Sequence, residues 1–243
     1  MQLENKIALV TGSAHRLGRE IALGLARQGC AILLHYHKSE DAAEKTIAEI
    51  RALGVKAELA QADLSNTQGI QMLFQILDNA FAGLDILINS AAIMQRIGMR
   101  SVQEEDWDRT ININLRAPFF CLQMAAERMQ KRPQGVVINL GDIIGVRPNP
   151  SYPVHSIAKT GVQALTEVAA LAYAPHIRVN AIAPGLVLKP DEMRTARWQS
   201  LSEETPIQRS GKAQDVVDAV LFLCRSEYIT GETLVVDGGM QLL

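Results

Sequence analysis

The chain is short of cysteine, of net charge and of long apolar runs, and each shortage closes off a class of protein. There are three cysteines among 243 residues. Cys30, Cys121 and Cys224 are scattered and lie mostly within apolar runs, which argues against a disulfide framework and for reduced core thiols in a cytoplasmic protein. No pair has metal-ligand spacing, so no metal is expected. The formal net charge is −2 with no basic stripe, which gives no electrostatic case for a nucleic-acid partner. No apolar stretch reaches the roughly 18 residues of a membrane span. The opening MQLENK runs into the first strand without an apolar leader, so a soluble, intracellular protein with no membrane contact is expected.

With 48% hydrophobic residues over 243 positions, the chain can bury one large core, and no linker, repeat or low-complexity segment divides it. One domain, 1–243, is expected. Residues 1–140 would serve mainly the cofactor, and 141–212 would carry the catalytic segment and a substrate cover.

Lys6 to Ser39 sets the pattern. Ile7–Val10 is a short continuous apolar run, as in a parallel strand covered on both faces. Thr11-Gly12 breaks it, and Leu17, Ile21, Leu25 and Ala26 then recur at helical spacing up to a stop at Gly29. Cys30–Leu34 begins a second strand. The unit reads as βαβ, with Gly12 and Gly18 allowing a tight turn and the helix start attracting a pyrophosphate. Arg16 stands where G-x-G-x-x-G would have its middle glycine. By itself the glycine pair fits an ordinary strand-turn-helix equally well.

Beyond the second strand an NAD site places an acidic side chain. This chain has His35, Tyr36, His37, Lys38 and Ser39 instead, and Arg16 lies close enough in such folds to join them. Donors of this kind suit a 2′-phosphate, so NADPH/NADP+ is the expected cofactor.

Strands follow at Val55–Ala60, Leu84–Asn89, Gly135–Leu140, Ile177–Ile182 and Thr233–Val236. Helices alternate with them at Ser39–Leu53, from a capping box at Ser65, from a second box at Ser101, over Trp107–Gln130 with a break near Ala117-Pro118, and at Ala213–Cys224. The alternation predicts an α/β fold, a doubly wound parallel sheet of about seven strands with helices on both faces. After the fifth strand come Asp142, a loop made irregular by Pro148, Pro150 and Pro153, and a helix near Val154 carrying His155 and Lys159 on one face. Ligands bind beyond strand carboxyl ends, which makes these three a candidate catalytic group. A loop cap, a packed imidazole and a surface ammonium are the plain alternatives. Leu186 to Ile207 is polar and punctuated by proline, like a mobile cover.

Thr11-Gly12 with Gly18, Asp63-Leu64, Asn89-Ser90-Ala91, Asn114, Lys159, Pro184-Gly185 and Asp237-Gly238-Gly239 occur together in the order of the short-chain dehydrogenase/reductase family, which the chain resembles over nearly its whole length. The resemblance implies a Rossmann fold, nicotinamide-dependent oxidoreductase activity and a homotetramer. It implies that His15, Arg16 and Leu17 belong to the phosphate turn, that Asp63 and Leu64 lie near adenine and that Asn89, Ser90 and Ala91 run along the cofactor. It further implies Lys159 on the nicotinamide ribose, Pro184, Gly185 and Leu186 at the nicotinamide face, and Asn114 in a proton relay. More narrowly, TGSAHRLGR, HYHKS, QADLSN, Asp142, PGLVL, DEM and YITG are similar to the pteridine reductase branch. Two positions depart: His155 stands where the family has its tyrosine, and Ile93 where the branch has an aromatic residue that stacks on a pterin.

A phenol needs its pKa brought down from about 10 to act near neutrality, whereas an imidazole starts near 6.5. An Asp142–His155 pair delivering a proton is expected. The carboxylate would stabilise a protonated C=N nitrogen and repel an oxyanion, favouring imine-type small molecules such as pterins. Tyr152, three residues before His155, is a second candidate donor. The alternative is an NADP(H)-binding protein of low or no catalytic activity, a sensor or non-catalytic subunit.

Overall fold

The computed structural model describes residues 1–191 and 193–243; Glu192, the middle of the DEM motif, lies outside the described residues. Strands and helices alternate along a single domain: β1 (Ile7–Val10), α1 (Arg16–Arg27), β2 (Ala31–Tyr36), α2 (Glu40–Ala52), β3 (Ala57–Gln61), α3 (Thr67–Ala80), β4 (Ile86–Asn89), α4 (Glu104–Ile111) and α5 (Ala117–Met129). There follow β5 (Gly135–Leu140), α6 (Ile143–Val146), α7 (Pro153–Tyr173), β6 (Ile177–Pro184), α8 (Thr195–Glu204), α9 (Ala213–Arg225) and β7 (Thr233–Val236). The seven strands form one sheet in the order β3-β2-β1-β4-β5-β6-β7, every pairing parallel. This is a Rossmann-like α/β fold. Strands β1 and β4 are neighbours in the sheet with two strands, β2 and β3, between them in the chain, and at that switch point a crevice opens beyond the strand ends.

Successive strand residues face opposite sides, so an unbroken apolar strand needs a hydrophobic layer on each face. Ala8, Val10, Ile32, Leu34, Ile86, Ile88, Val136 and Ile138 pack on one side with the buried residues of α1, α2 and α9. Leu9, Leu33, Leu87 and Val137 pack on the other with those of α3 and α5. Helix α1 meets α9 closely enough that a Cβ on Gly24 would lie 2.4 Å from Cγ1 of Val217.

Several boundaries differ from the sequence expectation. β2 does not stop at Leu34 but runs through His35 and Tyr36, because their carbonyls accept from Ser13 and Ala62 and their Cα atoms pair with Ala60 and Gln61 of β3. The cap of α3 is Asn66 rather than Ser65; its side chain accepts from the Gly69 amide at 2.9 Å. α4 begins after Gln103, whose amide donates to Asp106, while Ser101 ends a short 3₁₀ turn, Met99–Ser101. The expected break in the long helical region is a π turn, Asn112–Arg116. Pro118 explains it: without an N–H it cannot bond the carbonyl four residues back, and its ring crowds that carbonyl. The segment Leu186 to Ile207, expected as a cover, is not all loop, since it contains α8.

Gly24→Ala is expected to destabilise the fold by about 1–3 kcal/mol through overpacking, against a gain of roughly 1 kcal/mol in helix propensity. In a Val217→Ala background the same change should become neutral or stabilising. Urea unfolding of the four proteins in the cycle measures both signs.

Candidate active site

The carboxyl ends of β1 and β4 are tied together by one hydroxyl. Thr11 Oγ1 accepts from the amides of Ser90 and Ala91 at 2.9 and 3.0 Å. Gly12 follows at φ +63, and a Cβ there would lie 2.7 Å from Ala91 Cα; a Cβ on Gly18 would lie 2.4 Å from the Gly12 carbonyl oxygen. Only glycines allow this approach. Among the described residues no side chain caps α1 at His15, so its first amides are left for an anion, with the positive end of the helix dipole behind them. The cradle fits the pyrophosphate of a dinucleotide. Leu17 packs against the core beneath it.

His35 is not part of a phosphate site. Its Nδ1 accepts from the Gly12 amide at 2.9 Å and its Nε2 donates to the Ala62 carbonyl at 3.1 Å. Burial pushes its pKa down to about 4, so the ring is a neutral brace with both nitrogens used. Tyr36 is buried in the core as well, its phenol held above the usual range by burial and then by Glu40 and Glu44. The two were expected to face a phosphate because the strand was expected to end before them. His37 and Lys38 beyond the strand end are exposed and Ser39 is half-buried. Arg16 also departs from expectation. It takes φ +53, the left-handed conformation that favours glycine, and its guanidinium points at the cover. It donates to the carbonyls of Leu188 and Lys189 at 3.3 Å and lies 3.7 Å from Asp191.

Asp63 accepts from the Ser65 amide at 2.9 Å. Burial alone would raise its pKa, but the bonds from Ser65 and the nearness of His37 and Lys38 outweigh it and hold the carboxyl below the usual range. Leu64 beside it is buried. Asn89 spends its amide hydrogens inside the protein, on Asn139 Oδ1 at 2.9 Å and the Pro118 carbonyl at 3.3 Å. Asn139 in turn donates to Thr166 on α7 at 3.0 Å. This buried chain was not anticipated; two asparagines in otherwise apolar strands were its signal.

Asp142, His155, Lys159 and Asn114 come together at the end of β5. Asp142 is indeed a cap: Oδ1 accepts from the Ile144 amide at 2.9 Å. Its other oxygen, Oδ2, faces His155 Nε2 at 3.4 Å. On the far side of the ring, Nδ1 lies 3.0 Å from the Ile93 carbonyl oxygen and 3.1 Å from Asn114 Nδ2. Asn114 sits within the π turn and grips Ile93, Oδ1 accepting from its amide at 2.9 Å and Nδ2 donating to its carbonyl at 2.7 Å. The part played by the Ile93 backbone left no trace in residue type. Lys159 is buried and donates to the Leu140 carbonyl at 2.6 Å. Burial brings its pKa down to about 8, with Asp142 opposing the shift.

Tyr152 stands apart as the residue before α7, half-buried, its hydroxyl bonded to none of these groups. Pro184 is buried at the end of β6, and Gly185 is required there, since a Cβ would lie 2.8 Å from Asp237 Cβ. Leu186 lines a cavity of about 390 Å³ with Val187, Ile207 and the end of β7; Asp142, His155 and Lys159 are outside it. Among the described residues no acidic, histidine and cysteine cluster could hold a metal, and no helix is long and apolar enough to cross a membrane.

A glycine turn opening onto an uncapped helix, at the switch point of a sheet with this strand order, is the construction of a dinucleotide-binding Rossmann protein. A family model described as enoyl-(acyl carrier protein) reductase matches residues 12–241. The 3-oxoacyl-[acyl-carrier-protein] reductase FabG of Staphylococcus epidermidis is 35% identical over 245 residues, covering 98% of this chain and 100% of the relative. Glucose 1-dehydrogenase 2 of Bacillus subtilis is 34% identical over 248 residues, covering 99% and 96%. The crystal structure of FolM alternative dihydrofolate reductase 1 from Brucella canis, complexed with NADP, superimposes with a TM-score of 0.94 at 28% identity, covering 100% of this chain and 96% of that one. The chain belongs to the short-chain dehydrogenase/reductase family, oxidoreductases that bind a nicotinamide cofactor.

The buried His35 gives a pH dependence with a defined sign. The unfolded chain protonates it near 6.5 and the folded protein only near 4, so between those values the unfolded state binds more protons and stability rises with pH. Urea midpoints should fall as pH drops from 6.5 toward 4, and His35→Gln should flatten that slope.

Proposed function

We propose that the chain is an NADPH-dependent reductase of the pteridine reductase branch, acting on a pterin-like or other small C=N or C=O compound, with Asp142 and His155 delivering the proton. The observation that carries this reading is the pair itself: a buried imidazole with Nε2 3.4 Å from Asp142 Oδ2 and Nδ1 3.0 Å from the Ile93 carbonyl. An imidazolium in this position finds an acceptor for each N–H. Giving up the Nε2 proton leaves a neutral ring whose Nδ1–H still donates to Ile93. The 3.4 Å separation is long for a hydrogen bond, and catalytic bonds of this kind tighten once a ligand is present.

Bound NADPH supplies the hydride. The Asp142 carboxylate favours the positive charge that develops on a C=N nitrogen as it is protonated, whereas a nascent oxyanion would be repelled. Imines are therefore the favoured substrate class. Asn114, by fixing the Ile93 backbone, holds the proton acceptor in place. Lys159 would take the nicotinamide ribose, and Tyr152 lines the pocket. His155 stands where the family resemblance expects a tyrosine, and the proposal gives that imidazole the tyrosine's part.

For the cofactor, the exposed His37 and Lys38 with Ser39 supply donors for a 2′-phosphate. The NADP complex of the Brucella canis relative supports the same choice. Cytoplasmic location and a homotetramer are consistent with this reading.

Lys38→Ala should weaken NADPH binding about tenfold or more, the scale of one hydrogen bond to a charged group, and leave NADH binding unchanged. Calorimetric titration with both coenzymes decides it. Asp142→Asn should lower turnover of a dihydropterin or cyclic imine by about 10²–10⁴-fold while NADPH still binds. Wild-type protein that binds NADPH and turns over none of these would instead be a cofactor-binding protein of low or no activity.

A further inference from the structure

We propose that Gln95 is a specificity-determining residue that selects substrates carrying an N–H donor beside the reducible bond. The proposal rests on the reductase reading above and names a feature of its substrate. The chain leaves the carboxyl end of β4 without regular structure, yet its exposure alternates: Ala91, Ile93, Gln95 and Ile97 are partly covered, while Ala92, Met94, Arg96 and Gly98 are exposed. That period of two is the signature of an extended chain, so the Gln95 side chain leaves on the same side as that of Ile93. The Ile93 backbone is in contact with both Asn114 and His155. Two extended residues span about 7 Å, the length of one small heterocycle.

Gln95 Oε1 is, among the described residues, the one buried side-chain nitrogen or oxygen without a hydrogen-bond partner. A buried acceptor left unpaired is costly, and native structures keep few of them without a use. Every other buried polar group around the site is satisfied within the protein: Asn114 by Ile93, Lys159 by Leu140, Asn89 by Asn139. An oxygen in this position is completed by a ligand N–H, of the kind an amide, amidine or guanidine-like ring carries. A site built to accept such a donor discriminates strongly against the analogue that lacks it, because the acceptor is then buried unpaired.

The test is calorimetry on protein saturated with NADP+, using 2-amino-4-pyrimidinone and an N-methylated analogue with no N–H as probes. Wild type should prefer the first by about tenfold or more. Gln95→Met should abolish that preference by weakening the first probe alone, with an unfolding temperature equal to or above wild type since no bond is lost. Gln95→Glu, which keeps an acceptor, should retain the preference. A preference that survives in Gln95→Met, equal weakening of both probes, or no preference in wild type would overturn the proposal. NADPH oxidation by wild type with a dihydropterin and a cyclic imine is read separately. No turnover with the probe preference intact would overturn the reductase reading and leave the role of Gln95 standing as ligand selection.

Discussion

The constraint from which the rest of the site follows is the approach of β1 to β4 at their carboxyl ends. A side chain on Gly12 would lie 2.7 Å from Ala91 Cα, and the contact persists because Thr11 Oγ1 takes two amides from the opposite strand while His35 takes the Gly12 amide. The crevice, the free start of α1 and the path of the chain from Ser90 to Ile93 all follow from that closure. Ile93, set by this path, is what Asn114 grips and what the imidazole faces. The cofactor cradle and the acid–imidazole pair are thus positioned from one strand junction.

The same economy shows at Asp142. One carboxylate oxygen closes the first turn of α6 and the other faces His155, so capping and the proposed chemistry are two ends of one side chain. The two are not exclusive, because a carboxylate has acceptor capacity for both. Lys159 is shaped in the same way by its surroundings: buried, bonded to a strand carbonyl, and brought down to about 8 by loss of solvent.

Much of this was legible in the sequence where one residue type has one physical use. Continuous apolar runs announced parallel strands, Gly12 and Gly18 announced the turn, and the spacing of His155 and Lys159 put them on one helix face. Illegible were the features set by neighbours rather than by type. His35 and Tyr36 look polar and terminal, yet β3 pairs with them and buries them. Serines followed by Glu or Gln three residues on looked like caps, yet Asn66 and Gln103, nearer the helices, hold those places. Pro118 announced a break, but not that the chain would widen into a π turn and carry Asn114 inward. A backbone contact such as that of Ile93 has no signature in residue identity.

Arg16 leaves a consequence for how such a site can change over time. The residue sits in a backbone conformation natural to glycine, lies in the glycine turn after β1, and clasps Leu188 and Lys189 beyond β6. A single residue therefore governs both the strain of the turn and the hold on the segment after β6. A substitution there alters the turn and the hold on Leu188 and Lys189 together, so a laboratory library that treats the two segments as independent will find them linked.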